Sequence, residues 1–382
     1  MKIYKFTDCV EVVGSVCPSF EGEKHYISTG AVETNIIDET KVEIVSYDKK
    51  PSRANLVVAA GTLLFAKMQA TKKTILIDNV SEQYVYSTGF CAVKPIETII
   101  NQNCLYHLLM SDMFLKQKDK NCSGATQKAI TNAGLEKIII SVPPLEQQDS
   151  IAEKLDLISE LIKNQRKGLQ ELDELVKSRF VEMFGDPVSN PFEWDKVPLS
   201  ELADIKIGPF GSLLHKDDYI EDGHPLVNPS HIKDGKIVTD NKLTISDEKF
   251  WEMAAYHLKI GDVVMGRRGE MGRCAVVTED GLLCGTGSLL IRSKGEITAD
   301  YIQKIISFPS FKKIIEDKAI GQTMPNLNVP IVSNFKIIKP PIGVQHKYYS
   351  FVHQVEKLKS EEQKRLEKTQ TLFDSLMQKY FG

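Results

Sequence analysis

The sequence predicts an α+β chain made twice from one plan. Two mixed α/β domains, residues 1–143 and 186–340, alternate with two long helices, residues 144–185 and 341–382, that form an antiparallel coiled coil. Three observations predict this. The chain matches itself at an offset of 197 residues. Each copy closes on a stretch with apolar residues every 3.5 positions. Ahead of each stretch lie short alternating or apolar runs between turn residues.

The repeat organises everything else. At the 197-residue offset Gly124-Ala125-Thr126 falls on Gly321-Gln322-Thr323, Pro143-Pro144 on Pro340-Pro341, Gln148 on Gln345, and Phe184-Gly185 on Phe381-Gly382. Upstream, Thr88-Gly89 matches Thr286-Gly287, and Leu63-Leu64-Phe65 matches Val263-Val264-Met265. A period this long marks a duplicated domain, not a solenoid.

Within the domains the strand candidates are Lys41–Val45, Thr74–Ile77, Gly89–Val93 and Ile138–Val142, then Lys236–Val238, Asp262–Met265, Cys274–Val277, Ser288–Arg292 and Asn334–Ile338. One helix closes each domain, Gln102–Leu115 and Ala299–Glu316, from apolar residues at helical spacing. The Gly185–Pro191 segment, rich in Gly, Pro and Asn, separates the copies.

The first long helix carries a heptad seam of Ile151, Leu155, Ile158, Ile162, Leu169, Leu172, Val176 and Met183, with Gln165 and Arg179 in the remaining positions. The second repeats it with Tyr348, Val352, Val355, Leu366, Phe373, Leu376 and Tyr380. Each would be roughly 50–60 Å long at about 1.5 Å per residue. Gly168 is the one weak point of the first helix. The first stretch has nine acidic and six basic residues, the second five and seven. Opposite net charge favours pairing of the two over self-association. Gln165 and Glu362 are equivalent and central, so an antiparallel pair would bring them together as a polar layer that sets register.

Composition restricts the function classes. The chain has 382 residues, 42% hydrophobic and 26% charged, ordinary globular values. A net charge of −3 argues against indiscriminate DNA coating but allows a local basic face. No apolar run reaches the length of a membrane span and no signal peptide opens the chain, so a cytoplasmic location is expected. Seven scattered cysteines read as small buried hydrophobes, with no disulfide or metal role. No Walker loop, G-x-G-x-x-G or Cys/His metal spacing is present, so no catalytic residue, metal or bound cofactor is expected.

The paired order of Gly124-Ala-Thr126, Val142-Pro-Pro-Leu-Glu-Gln-Gln148 and Phe184-Gly185, then Gly321-Gln-Thr323, Lys339-Pro-Pro-Ile-Gly-Val-Gln345 and Phe381-Gly382, resembles the specificity subunits of type I restriction–modification systems. Gly185-Asp-Pro187 with Trp194, and Gly261-Asp-Val-Val264, add to the likeness, which covers essentially the whole chain. The resemblance implies two target-recognition domains, each reading half of a bipartite site in double-stranded DNA. It implies that the long helices act as a spacer and help dock two methyltransferase subunits, with restriction subunits as further partners left open. S-adenosylmethionine would sit on the methyltransferase, not on this chain. A rod of roughly 50 Å is comparable to about 15 base pairs. Two other readings compete: a coiled-coil scaffold, and a DNA-processing enzyme with cryptic nuclease activity.

For DNA contact the candidates are two equivalent basic loops. Arg267, Arg268 and Arg273 lie in the second copy, Lys67, Lys72 and Lys73 in the first. Arginine can pair with phosphate or guanine edges, and the glycines beside it let backbone approach a ligand. Lys24-His25-Tyr26 and His215-Lys216 are weaker candidates, and the run Lys116, Lys118, Lys120 reads as solvated surface. Asn228-Pro229-Ser230-His231 superficially resembles the adenine-methyltransferase motif, but lacks its second proline and its aromatic residue. For helix pairing the candidates are Ile151, Leu155, Ile158, Ile162, Gln165, Leu169, Leu172, Val352, Val355, Glu362, Leu366, Phe373 and Leu376.

Overall fold

The computed structural model describes residues 1–125, 127–210, 213–321 and 326–382, with the side chain of Lys216 left aside. The chain divides into two compact units. Unit 1 is Met1–Gly168 with Glu362–Gly382, and unit 2 is Leu169–Glu361.

In unit 1 a four-stranded antiparallel sheet runs in the order Thr74–Leu76, Leu63–Ala66, Phe90–Pro95, Val10–Val12. A five-stranded sheet contains one parallel pair, Lys24–Ile27 with Val85–Ser87. The Leu63–Ala66 strand explains its unbroken apolar run. Leu63 and Phe65 face a core made with the helices, while Leu64 and Ala66 face a core between strands, so both sides of the pleat are buried. Unit 2 repeats the plan. Asp262–Gly266 lies between Ser288–Ser293 and Cys274–Val276, and His224–Val227 pairs in parallel with Leu283–Cys284. Val263 and Met265 face one core and Val264 the other.

Each domain-closing helix is two helices. Ser111 ends Gln102–Leu109 and starts Asp112–Lys120, because its hydroxyl accepts the Phe114 N–H at 3.2 Å. In unit 2, Pro309 opens Pro309–Lys318 and holds Phe308 extended, which stops Ala299–Ser307. The strand expected from Lys41 starts at Glu43, because Glu39–Lys41 is a 3-10 turn capped by Asp38.

The long helices span Leu145–Phe184 and Ile342–Phe381, and the first continues through Gly168. Each is shared between the units, so the spacer is not a body separate from the domains. In unit 1, Ile151 and Leu155 near the start of the first helix share a core with Met377 and Phe381 at the end of the second. Arg166 Nη2 lies 3.4 Å from Gln370 Oε1. In unit 2, Asp173 pairs with Lys359, and the Tyr348 hydroxyl donates to the Val176 carbonyl at 3.2 Å. Rising numbers on one helix meet falling numbers on the other, so within each unit the pair is antiparallel. The seam side chains are buried (Ile151, Leu155, Ile162, Val355) or half-buried (Ile158, Leu169, Leu172, Val352, Leu366, Phe373, Leu376).

The central polar layer is not hydrogen-bonded. Gln165 Oε1 is buried without a partner, and Glu362 pairs with Arg365 of its own helix at 3.4 Å. The contacts that the pair does make are those of the apolar seam and of the helix ends. Those ends explain two repeated residues. Gln148 and Gln345 are fully buried. Gln148 accepts from the Asn101 N–H at 2.7 Å and donates to the carbonyls of Ile99 and Pro143. Gln345 accepts from the Thr298 N–H at 2.9 Å and donates to the Pro340 carbonyl. Each amide ties the start of a long helix to the Pro-Pro turn and to the start of the domain-closing helix.

Candidate nucleic-acid interface

Both basic loops are hairpin connections. Residues 67–73 join the paired strands Leu63–Ala66 and Thr74–Leu76, and residues 267–273 join Asp262–Gly266 and Cys274–Val276. Each loop is held the same way. The N–H of Lys67 donates to the Gly89 carbonyl at 2.9 Å, and that of Arg267 to the Gly287 carbonyl at 2.9 Å. The carbonyl of Lys67 accepts from the Ile130 N–H, and that of Arg267 from the Leu327 N–H, both at 2.9 Å. The fold thus gathers three stretches that the repeat had matched separately: the basic hairpin, the Thr-Gly turn and the residues after Gly-x-Thr. Thr126, Gln322 and Thr323 themselves lie outside the described residues.

The six candidate side chains differ in what they can offer a ligand. Lys67 donates to the Thr88 carbonyl at 3.1 Å, Lys73 to the Thr29 carbonyl at 2.8 Å, and exposed Lys72 pairs with Asp112 at 3.2 Å. Arg267 is half-buried and its Nε donates to Asn326 Oδ1 at 2.9 Å. Burial, then neighbouring Arg268, lowers its pKa below the usual arginine range. Arg273 Nη2 pairs with Glu270 at 2.5 Å while Nη1 donates to the Pro229 carbonyl at 3.1 Å. That guanidinium, with Lys312 at 3.7 Å, holds Glu270 below the usual carboxylate range. Arg268 is exposed and bonds no described side chain, so it is the candidate most available to a ligand.

The solvated-surface reading of the lysine run fails at its middle member. Lys116 and Lys120 are exposed, but Lys118 is 0% exposed. Its ammonium donates to the carbonyls of Ala66, Met68 and Thr71 at 3.3, 2.9 and 2.8 Å, gathering the unit 1 loop onto the Asp112–Lys120 helix. Burial lowers its pKa, and Asp119 opposes that shift. Helical spacing contained the signal. Lys118 lies four residues after Phe114, on the inward face, while its neighbours point outward.

Arg53 was not visible from spacing. It is exposed, its Nη2 donates to Gln127 Oε1 at 3.0 Å, and its carbonyl accepts from the Thr88 N–H. Only the sheet topology brings it to this face. Asn228-Pro229-Ser230-His231 is a capped 3-10 turn, with His231 buried and its Nδ1 2.7 Å from the Leu226 carbonyl. It supports the hairpin through Pro229, which packs against Gly266. Lys24-His25-Tyr26 lies in a strand, with the His25 ring 4.9 Å from that of Tyr84. His215 is exposed. All seven cysteines are free thiols, and six of them are buried. Among the described residues, no group of three or more His, Cys, Asp or Glu is placed to hold a metal. No described helix is long and apolar enough to cross a membrane.

The model of the type I restriction modification DNA specificity domain matches this chain twice, at residues 11–174 and 191–368. The chain belongs to that family. Its relatives include the type I restriction enzyme EcoBI specificity subunit of Escherichia coli, 22% identical over 308 residues. That alignment covers 72% of this chain and 63% of the relative, so the match spans less than two thirds of that protein. The MjaVIII specificity subunit of Methanocaldococcus jannaschii is 23% identical over 294 residues, covering 71% and 68%. Among solved structures, a chain from a study of assembly and conformational transition of the type I R-M system superposes with a TM-score of 0.66 at 20% identity, covering 99% of this chain and 97% of that one. The S subunit from M. genitalium gives 0.59 at 15% identity, covering 100% and 96%. These two establish the shared fold of the specificity family, with its duplicated mixed domains and its two long helices.

Proposed function

We propose that this chain is the DNA-recognition subunit of a type I restriction–modification assembly. It reads a bipartite target with two domains, residues 1–143 and 186–340, and docks methyltransferase subunits. One observation carries the reading: in both units a basic hairpin is braced by the same two backbone segments, while the side chains presented differ. A common frame with unlike contact residues is what two readers of two different half-sites require. Arg267, Arg268 and Arg273 serve one half-site and Lys67, Lys72 and Lys73 the other, with Arg53 added to the second group.

The chain performs no chemistry in this reading, and S-adenosylmethionine belongs to the methyltransferase. The long helices supply the docking surface. Leu161 and Leu358 are equivalents in the repeat, as are Leu175 and Leu372, and all four are 46–53% exposed. Apolar residues left exposed at matched positions of both copies favour two copies of one partner. The assembly works in the cytoplasm, where its DNA is.

Mapping the bases methylated by the full chain assembled with its methyltransferase tests the proposal. The expected motif has two short, dissimilar half-sites separated by a gap of constant length. In the same assembly Arg268→Ala lowers the slope of log affinity against log salt by about 1 if the side chain meets a phosphate, or costs about 1–3 kcal/mol at one base position if it reads a base. A contiguous motif, or cleavage or methylation by the purified chain alone, overturns the reading.

A further inference from the structure

We propose that unit 2, and not unit 1, carries a sequence-independent phosphate groove in which Lys177, Lys233, Arg273, Lys304 and Lys312 hold the DNA backbone beside the recognition loop. The inference rests on the DNA-recognition reading and adds to it a second, non-reading contact.

The groove is open and has a volume of about 900 Å³. Its walls come from the small hairpin of Ile232–Lys233 and Lys236–Ile237, the loop that ends at Arg273, the Ala299–Ser307 helix and the first long helix at Lys177. The two acids in it, Asp234 and Glu270, do not balance five cations, and Glu270 is taken by Arg273 and Lys312. The backbones of Lys233 and Lys304 bond to Lys236 and Ser307, but the ammonium groups of Lys177, Lys233 and Lys304 make no hydrogen bond or ion pair with a described residue.

Lys304 is the informative member. Its ammonium lies 5.9 Å from the centre of the Phe180 ring and is half-buried. Burial and then Lys177 lower its pKa, and the acid that opposes this shift, Asp173, is already paired with Lys359. A half-buried cation next to a second cation and without a counter-ion is costly unless an anion completes the site. A phosphodiester fits that requirement. It brings one charge per residue of backbone, and the exposed Ser230 on the same wall adds a hydroxyl donor.

Unit 1 shows that the groove is not a by-product of the shared fold. The equivalent of Lys177 there is Asp374, and that of Lys304 is His107, which is buried against Asp156 at 2.9 Å. The equivalent small hairpin, Val32–Glu33 with Ile36–Ile37, carries Glu33 where unit 2 has Lys233, and Glu33 pairs with Lys41 at 2.7 Å. On one frame, unit 2 has Lys177, Lys233 and Lys304 where unit 1 has Asp374, the ion-paired Glu33 and the buried His107. Lys233, Arg273 and Lys312 flank the recognition loop, so a backbone seated here continues from bases read there.

The test measures binding of the full chain, assembled with its methyltransferase, to a cognate and a non-cognate duplex across a salt series. One variant combines Lys177→Gln and Lys233→Gln, both at exposed positions. A second is Lys304→Gln, with its thermal midpoint checked. Each phosphate contact contributes about 0.9 to the slope of log affinity against log salt. The double variant should therefore lose about 2 from that slope and Lys304→Gln about 1, equally on both duplexes. An unchanged slope overturns the groove. So does a loss confined to the cognate duplex, which would make these residues base readers. A third contrary result is an unchanged slope with weakened assembly, which would assign the groove to an acidic face of the protein partner. If the parent assembly binds no DNA at all, the recognition reading fails instead.

Discussion

Two buried polar side chains do more to define this chain than its exposed arginines. Gln148 and Gln345 each satisfy a helix-start N–H and a turn carbonyl that no backbone partner reaches. That is why glutamine recurs after each Pro-Pro pair: an amide offers an acceptor and donors at once, which neither a carboxylate nor an ammonium does. Gln148→Leu leaves the Asn101 N–H and two carbonyls unpaired and should cost about 1–3 kcal/mol in denaturant unfolding. Lys118 applies the same logic with a charge, gathering three loop carbonyls around a buried ammonium. Glutamine stood out in the sequence because it kept register with its copy. Lys118 did not, because its equivalent in the second copy is the buried Ile315 and its role exists only once three distant carbonyls converge.

The long helices carry the apolar seam expected from the 3.5-residue spacing, and also bury Phe180, Phe184, Met377 and Phe381, which that spacing left out. The seam's polar member behaves otherwise than the pattern suggests. Gln165 contributes a buried, unpartnered Oε1 and no hydrogen bond to Glu362. Gln165→Leu should therefore stabilise the chain by about 1 kcal/mol, read as a shift of the unfolding midpoint. Cross-linking between cysteines placed at residues 166 and 370 should show unchanged pairing, and a shifted register in the variant would restore the polar layer as its determinant. The short helices teach a related lesson. A continuous apolar spacing predicts one helix in each domain, yet Ser111 and Pro309 each restart it, because a cap or a missing N–H acts at one position that periodicity averages away.

The whole chain is closed by exchange. Unit 1 is completed by the end of the second long helix and unit 2 by the end of the first, since Phe381 lies in the core with Phe6 and Ile140 while Phe184 lies in the core with Tyr301 and Phe335. Phe381→Ala removes a fully buried ring and should cost unit 1 about 3–5 kcal/mol. Calorimetry should then resolve two transitions, unit 1 melting first and unit 2 unmoved. A single transition shifted as a whole would show that the two units unfold together. The same exchange explains why neither copy of the repeat makes a unit by itself: each begins one unit and finishes the other.

By itself the sequence determined the duplication, the mixed α+β class, the two long helices and the family. These depend on spacing along the chain, which periodicity and a fixed offset report directly. Only the tertiary structure decided which half of each helix belongs to which unit, that Arg53 joins the Thr-Gly turn and the basic hairpin, and that lysines converge in one unit where Asp374 and Glu33 stand in the other. Those facts depend on side chains far apart in number meeting across a sheet or a helix pair. Their charge and burial have no value until the fold sets the distance between them.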